Sequence, residues 1–290
     1  MQLGVSSYSY SRLVRNGTLK QADVIGAAKE AGFQAIEFST IAVPEGQTLA
    51  AYADALRQEA RQVGLPIANY TIGADFLNGS GGDLQAEIKR VKGEVDIAEI
   101  LGAPGMRHDA TGGFAAGHIG PKGFDDALPR LAEGCRAVTE YAAKKGIRTM
   151  VENHGFFCQD SARVEKLANA VGHPNFGILA DLGNFYCVDE NAGQAVGRLA
   201  RHVFHAHAKD FHIKPGNGFN PGEGWFLSRG GNFLRGAIIG HGDVPLLQAL
   251  RALKRSGYNG VLSIEFEGME DVLGSLRIGL ANLRRLVELA

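Results

Sequence analysis

The chain has 290 residues, with 30 Lys+Arg against 31 Asp+Glu and a formal net charge of −1. That balance excludes a protein whose affinity rests on neutralising nucleic-acid phosphates, and 45% hydrophobic with 21% charged residues excludes disorder of the bulk. No run approaches the ~18 apolar residues of a membrane span, the start MQLGVSSYSY has no secretory pattern, and the three scattered cysteines (Cys135, Cys158, Cys187) fit a reducing, cytoplasmic setting without a CxxC zinc motif.

Short β-like runs alternate with longer amphipathic stretches along the whole chain. The first strand is expected at Leu3–Ser7, followed by a helix over Thr18–Ala31 that stops before Gly32. Strands at Gln34–Phe38 and Pro66–Ile72 flank a helix over Thr48–Val63 that ends at Gly64. A helix over Asp83–Leu101, ending at Gly102, leads to a strand at Gly105–His108. The helix Phe124–Lys145 precedes a strand at Ile147–Asn153. Strands follow at Asn175–Asp181 and His202–Ala208, with shorter helices between Asp160 and Arg201. The segment from Phe211 to Pro245 is too long for an ordinary connection and leads to a helix over Val244–Ser256. A strand at Gly260–Phe266 and a helix over Asp271–Leu289 close the chain. A glycine just past a helix supplies the left-handed residue that a helix stop favours.

Eight strand–helix units of about 36 residues each fit a single-domain α/β (β/α)8 TIM barrel. Runs such as "GILAD" and "GVLSIEF" are continuously apolar, as parallel strands buried on both faces require. A doubly wound open sheet is the rival, but "SYSYSR" after the first strand is no Gly-rich phosphate loop.

In such a barrel the chemistry sits at the carboxyl ends of the strands. Those ends carry Ser6, Ser7 and Tyr8; Glu37; Asn69 and Thr71; Arg107, His108 and Asp109; Glu152, Asn153 and His154; Asp181 and Asn184; His205, His207, Lys209 and Asp210; and Glu265 with Glu267. The last four strands thus end in Glu, Asp, His and Glu. Carboxylates crowded there would repel one another, and some would stay protonated. A divalent cation removes the conflict, and three oxygen ligands plus one imidazole suit Mn²⁺ or Mg²⁺, with Co²⁺ or Zn²⁺ also admitted. Strand alternation places Glu152 and His154 on one face and His205 and His207 on one face, with His207 nearer the carboxyl end. Alternation does not choose between Glu265 and Glu267.

The segments "GFQAIEFS", "MVENHG", "GILADLGNF", "VFHAHAKDF" and "GHGDVP…SGYNGVLSIEFEG" resemble the xylose isomerase-like TIM barrels, the sugar phosphate isomerase/epimerase superfamily. The resemblance runs over nearly the whole chain. It implies Glu152, Asp181, His207 and Glu265 as ligands of one divalent metal, Mn²⁺ foremost. It also implies Glu152 and Glu265 as the acid/base pair of a sugar isomerase or epimerase working through an enediolate. The substrate would be a small carbohydrate, and a homo-oligomer is plausible by resemblance alone. Two departures stand out. The ketose 3-epimerases have a histidine three residues after the strand-six Asp, where this chain has Asn184, and an arginine six residues after the strand-seven His, where it has Ile213. "HAKD" looks more like inositol-ketone dehydratase-like members, in which Lys209 would hydrogen-bond a substrate oxygen or act as an acid. His154 is placed to serve as a base in a β-elimination, so a dehydratase or lyase acting on a keto-sugar, keto-inositol or 3-keto-glycoside is the alternative.

Glu37, Arg107, His108, Asn184, Trp225 and His241 are the expected substrate contacts. Trp225 lies in a Gly-rich, aromatic stretch at 211–243 that reads as a lid over the barrel mouth. The apurinic endonuclease branch of the same fold is disfavoured by the neutral charge and the single ligand set. A non-catalytic sugar-binding barrel is a lesser alternative.

Overall fold

The computed structural model describes residues 1–290. The chain forms the strands β1 (Gln2–Ser6), β2 (Ala35–Ser39), β3 (Ile67–Ile72), β4 (Gly105–His108), β5 (Arg148–Glu152), β6 (Phe176–Asp181), β7 (Val203–Ala208), β8 (Asp210–Lys214), β9 (Phe226–Leu227), β10 (Phe233–Ala237) and β11 (Val261–Ile264). Its helices are α1 (Ser11–Arg15), α2 (Asp23–Ala31), α3 (Leu49–Val63), α4 (Leu84–Leu101), α5 (Phe124–Ala143), α6 (Ser161–Val171), α7 (Ala192–Leu199), α8 (Leu246–Arg255) and α9 (Val272–Leu289).

β1 to β7 and β11 are parallel and close a barrel in the order β1-β11-β7-β6-β5-β4-β3-β2. Gly4 of β1 lies opposite Ala35 on one side and Ser263 on the other, which seals the cylinder without an open edge. The architecture is the expected single (β/α)8 barrel. β6 is buried at every position, because helices cover its outer face and the other strands its inner one.

Local signals explain most boundaries. Thr48, Asp83, Asp160, Asn191 and Asp271 each accept a backbone N–H from the first turn of the helix they precede. Gly64 and Gly102 end α3 and α4 in the left-handed region, with φ of 67° and 72°, a conformation open to glycine at little strain. α2 starts at Asp23 rather than at Thr18. The side chain of Gln21 is buried and ties Thr40 O and Ala42 N of the β2 loop, so the preceding stretch turns instead of coiling.

The segment 211–243 differs from an irregular loop. β8 and β10 pair antiparallel from Asp210–Ala237 to Lys214–Phe233, and β9 adds to β10. Two carboxylates fix this small sheet. Asp210 accepts N–H groups from Gly240, Gly242 and Val244 at 2.8, 3.0 and 3.2 Å. Asp189, at the end of the turn after β6, accepts from Ser228 Oγ at 2.6 Å and Asn232 Nδ2 at 2.8 Å.

At the same end of the barrel, Glu87 organises the loop between β3 and α4. Its carboxylate takes Asp75 N–H at 3.1 Å, Ser80 O–H at 2.8 Å and Arg90 Nη2 at 2.6 Å. Burial alone would raise its pKa, but these donors override burial and hold it at about 2. A carboxyl depressed in the folded state stabilises above its unfolded pKa, and that stability is lost as pH falls through the folded value. Glu87→Gln is therefore expected to lower the melting temperature by several degrees at pH 7. The difference from wild type should shrink between about pH 4.5 and pH 2 as the wild-type carboxyl protonates. Thermal scans across that range check it; a difference independent of pH would contradict it.

Candidate metal centre

Neighbouring strands deliver the expected group. β5, β6, β7 and β11 are consecutive in the barrel, and the register sets Asp181 opposite His207 and His207 opposite Ser263. Glu265 follows β11 by one residue. Alternation then turns Glu152, Asp181, His207 and Glu265 toward one point, and one donor atom from each lies within 4.8 Å of the others. Asp181 and His207 are fully buried, Glu152 is 4% exposed and Glu265 8%.

His207 is oriented by the barrel interior. Its Nε2 lies 2.5 Å from Glu37 Oε1. Its Nδ1 faces Asp181 Oδ2 at 3.5 Å, Glu265 Oε1 at 3.7 Å and Glu152 Oε1 at 3.9 Å. Glu37 is fully buried and also holds His205 Nε2 at 3.1 Å, and His205 in turn reaches Ser263 Oγ at 2.9 Å. Burial would raise the Glu37 carboxyl, but His207 and His205 hold it well below its ordinary value. Burial would lower the His207 pKa, yet Glu37 and Glu265 push it well above the usual range. The carboxylates around it thus favour the protonated ring where no metal is bound. With one, the Nε2–H···Glu37 bond leaves Nδ1 as the ligand atom. Glu37, expected as a substrate contact, lies behind His207 and sets its orientation.

Glu152 is held on both oxygens. Arg107 Nε lies 2.6 Å from Oε2, and Asn184 Nδ2 donates to Oε1 at 3.0 Å. Burial raises its carboxyl above the ordinary range, with Arg107 and His207 pulling the other way. Arg107 also pairs with Asp109 at 2.8 Å, and Asp109 accepts from His154 Nδ1 at 2.9 Å. His154 is 51% exposed at its side chain. Lys209 Nζ, almost fully buried, contacts Glu265 Oε2 at 2.8 Å, Asp181 Oδ2 at 3.0 Å, Asn184 Oδ1 at 3.1 Å and Glu267 Oε1 at 3.2 Å. Beside Glu267 a cavity of ≈ 250 Å³ opens between Tyr8, Phe266 and Met269.

Three expected contacts are not brought to this point. His108 follows Arg107 on β4, so it takes the opposite face and packs edge-on against Phe76 in the helix layer. Burial lowers its pKa to about 4, which leaves it neutral near pH 7. Trp225 lies on the small sheet between Lys214 and Arg235, with each cation under 6 Å from its ring (5.7 and 5.6 Å). His241 is exposed in a groove against Asn282, Arg285 and Leu286 of α9. Asp109, by contrast, joins Arg107 to His154. Its place one residue past β4 was visible in the sequence, but its partners were not.

The donor set suits a divalent ion. His207 Nδ1 and Asp181 Oδ2 are buried and lack a hydrogen bond. Lys209 touches the Asp181 oxygen only as an ionic contact. Three carboxylates around an imidazole nitrogen match the oxygen-rich preference of Mn²⁺ or Mg²⁺.

No helix is long and apolar enough to cross a membrane. The sequence profile described as Xylose isomerase-like TIM barrel matches residues 25–286. An uncharacterized protein of Methanocaldococcus jannaschii is 25% identical over 158 residues, 53% of this chain and 47% of that relative, so the match spans about half of the relative. Among solved structures, a xylose isomerase domain protein from Planctomyces limnophilus superposes with a TM-score of 0.70 at 20% identity, covering 91% of each chain. An L-ribulose 3-epimerase superposes with a TM-score of 0.73 at 16% identity, covering 99% of this chain and 94% of that one. At these identities the structural likeness speaks to fold, and the profile match decides the family. The chain belongs to the xylose isomerase-like TIM-barrel family.

Proposed function

We propose that the protein is a divalent-metal-dependent sugar isomerase or epimerase, with Mn²⁺ as the ion. One observation carries the reading: His207 Nδ1 and Asp181 Oδ2 are buried without hydrogen bonds, 3.5 Å apart, beside Glu152 and Glu265. The resemblance in fold to an L-ribulose 3-epimerase supports the same class of chemistry. Glu152, Asp181, His207 and Glu265 would hold the ion. When bound, it supplies a Lewis acid that polarises a sugar carbonyl and acidifies the adjacent C–H.

The chain's own groups handle the proton. Glu152, whose carboxyl burial raises, takes the proton from carbon. Glu265 returns one to the opposite face for epimerisation or to the neighbouring carbon for isomerisation. Arg107 keeps Glu152 in place, and Asn184 sits against the same carboxylate. Tyr8 and Met269 line a cavity beside Glu267.

A second reading draws on the Asp109–His154 pair. A carboxylate on Nδ1 orients the ring, and half of the side chain is exposed beyond Glu152. Such an imidazole suits a metal-dependent dehydratase or lyase acting on a keto-sugar, keto-inositol or 3-keto-glycoside. Lys209 would then be the acid for the leaving oxygen.

Incubation with Mn²⁺ and ketoses in D₂O, read by mass spectrometry, is expected to exchange a carbon-bound hydrogen. Glu152→Gln and Glu265→Gln should each reduce that rate on the order of 10³-fold, and chelation should abolish it until Mn²⁺ is returned. Absence of exchange over ketopentoses, ketohexoses and 3-keto-glycosides, with metal bound, would sink the isomerase reading. An unsaturated product absorbing in the near ultraviolet, formed more slowly by His154→Gln at unchanged Mn²⁺ affinity, would establish the second reading in its place.

Glu37→Leu removes the partner of His207 Nε2 without touching a ligand. Mn²⁺ affinity is expected to fall by about 10- to 100-fold. Calorimetric titration measures this, and an unchanged affinity would remove Glu37 from that role.

A further inference from the structure

Strand alternation sets His205, His207 and Lys209 on one face of successive rungs, so the lysine stands directly above the imidazole ligand. Its ammonium divides its contacts evenly. Two go to candidate metal ligands, Glu265 Oε2 at 2.8 Å and Asp181 Oδ2 at 3.0 Å. Two go to groups outside the ligand set, Asn184 Oδ1 at 3.1 Å and Glu267 Oε1 at 3.2 Å. The Glu267 side chain is 29% exposed and lines the cavity beside Tyr8 and Met269. The lysine stem is confined, since a Cβ on Gly183 would stand 2.8 Å from Lys209 Cγ. The ammonium at its end touches both pairs at once.

We propose that Lys209 is an internal counter-ion that competes with the divalent metal for Asp181 and Glu265, and that Glu267 with Asn184 is the place to which its ammonium withdraws when the metal enters. The inference rests on the reading of the four-residue cluster as a metal centre. An ammonium and a dication cannot both sit against the same two carboxylates without strong repulsion in a poorly solvated site. With the metal absent, Lys209 neutralises the crowded carboxylates and stabilises the fold. With the metal present, the same charge lowers its affinity, and the carboxylate of Glu267 limits that loss by drawing the ammonium outward. Lys209 and Glu267 are in this sense positioning residues that set how tightly the ion is held.

The experiment uses the full chain stripped of metal, titrated with Mn²⁺ and followed by the electron paramagnetic resonance signal of the free ion. Lys209→Met should bind Mn²⁺ at least about tenfold more tightly than wild type. Its metal-free form should melt at a lower temperature, and Mn²⁺ should raise that temperature more than it does in wild type. Glu267→Gln should weaken Mn²⁺ binding at least about threefold, and in the Lys209→Met background the same change should alter it by less than about twofold. That loss of effect separates withdrawal of the ammonium from a general influence of the Glu267 charge. If Lys209→Met does not fold without metal, Lys209→Gln replaces it in the same comparison. Equal or weaker binding by the lysine variant overturns the inference, as does an equal effect of Glu267→Gln in both backgrounds. Mn²⁺ binding to none of the proteins overturns the metal reading as well, whereas binding that ignores Lys209 overturns the competition alone.

Discussion

Like-charge crowding at the end of four adjacent strands is the constraint that organises this molecule. Glu152, Asp181 and Glu265 bring oxygens within 4.8 Å of one another in a buried pocket. At an effective dielectric of about 20, two unit charges about 4 Å apart interact by ~4 kcal/mol. Such a group persists only if cations stand against it. Arg107 sits on one side against Glu152, and Lys209 on the other against Asp181 and Glu265. Between them His207 presents a nitrogen with no hydrogen bond. That arrangement could hold a divalent ion.

The surrounding shell serves the same end. Glu37, His205 and Ser263 form a buried chain beneath His207 that fixes which nitrogen faces the carboxylates. Asp109 joins Arg107 to His154, so one carboxylate links the clamp on Glu152 to the exposed imidazole. Glu87, Asp189 and Asp210 play an analogous part for backbone. Each gathers several donors from a loop at the carboxyl end of the barrel. Precision at the centre thus derives from strands, with loops held by carboxylate anchors.

Much of this was legible from residue order. Continuous apolar runs and helix stops at glycine gave the eight barrel strands and most helices, because parallel strands buried on both faces leave that pattern. The four candidate ligands were legible because each ends a strand, and a barrel puts all strand ends at one mouth. Four things were not. The small sheet of β8, β9 and β10 hides in a Gly-rich segment whose strands are short, and its anchors Asp189 and Asp210 become partners only in three dimensions. Arg107 and His108 were both expected at the site, although neighbours on a strand face opposite ways; the structure turns Arg107 inward and His108 to the helices. Trp225 and His241 follow no strand end, so residue order alone sets no direction for them. The clamp of Arg107 on Glu152 joins residues on different strands, a relation that spacing does not encode.

The most direct measurement is anomalous scattering at the manganese edge from crystals grown with Mn²⁺. The account predicts one peak, bonded by His207 Nδ1 and by carboxylate oxygens of Glu152, Asp181 and Glu265. No peak at that point, or a peak instead on the Nε2 side of His207 between Glu37 and His205, would contradict it.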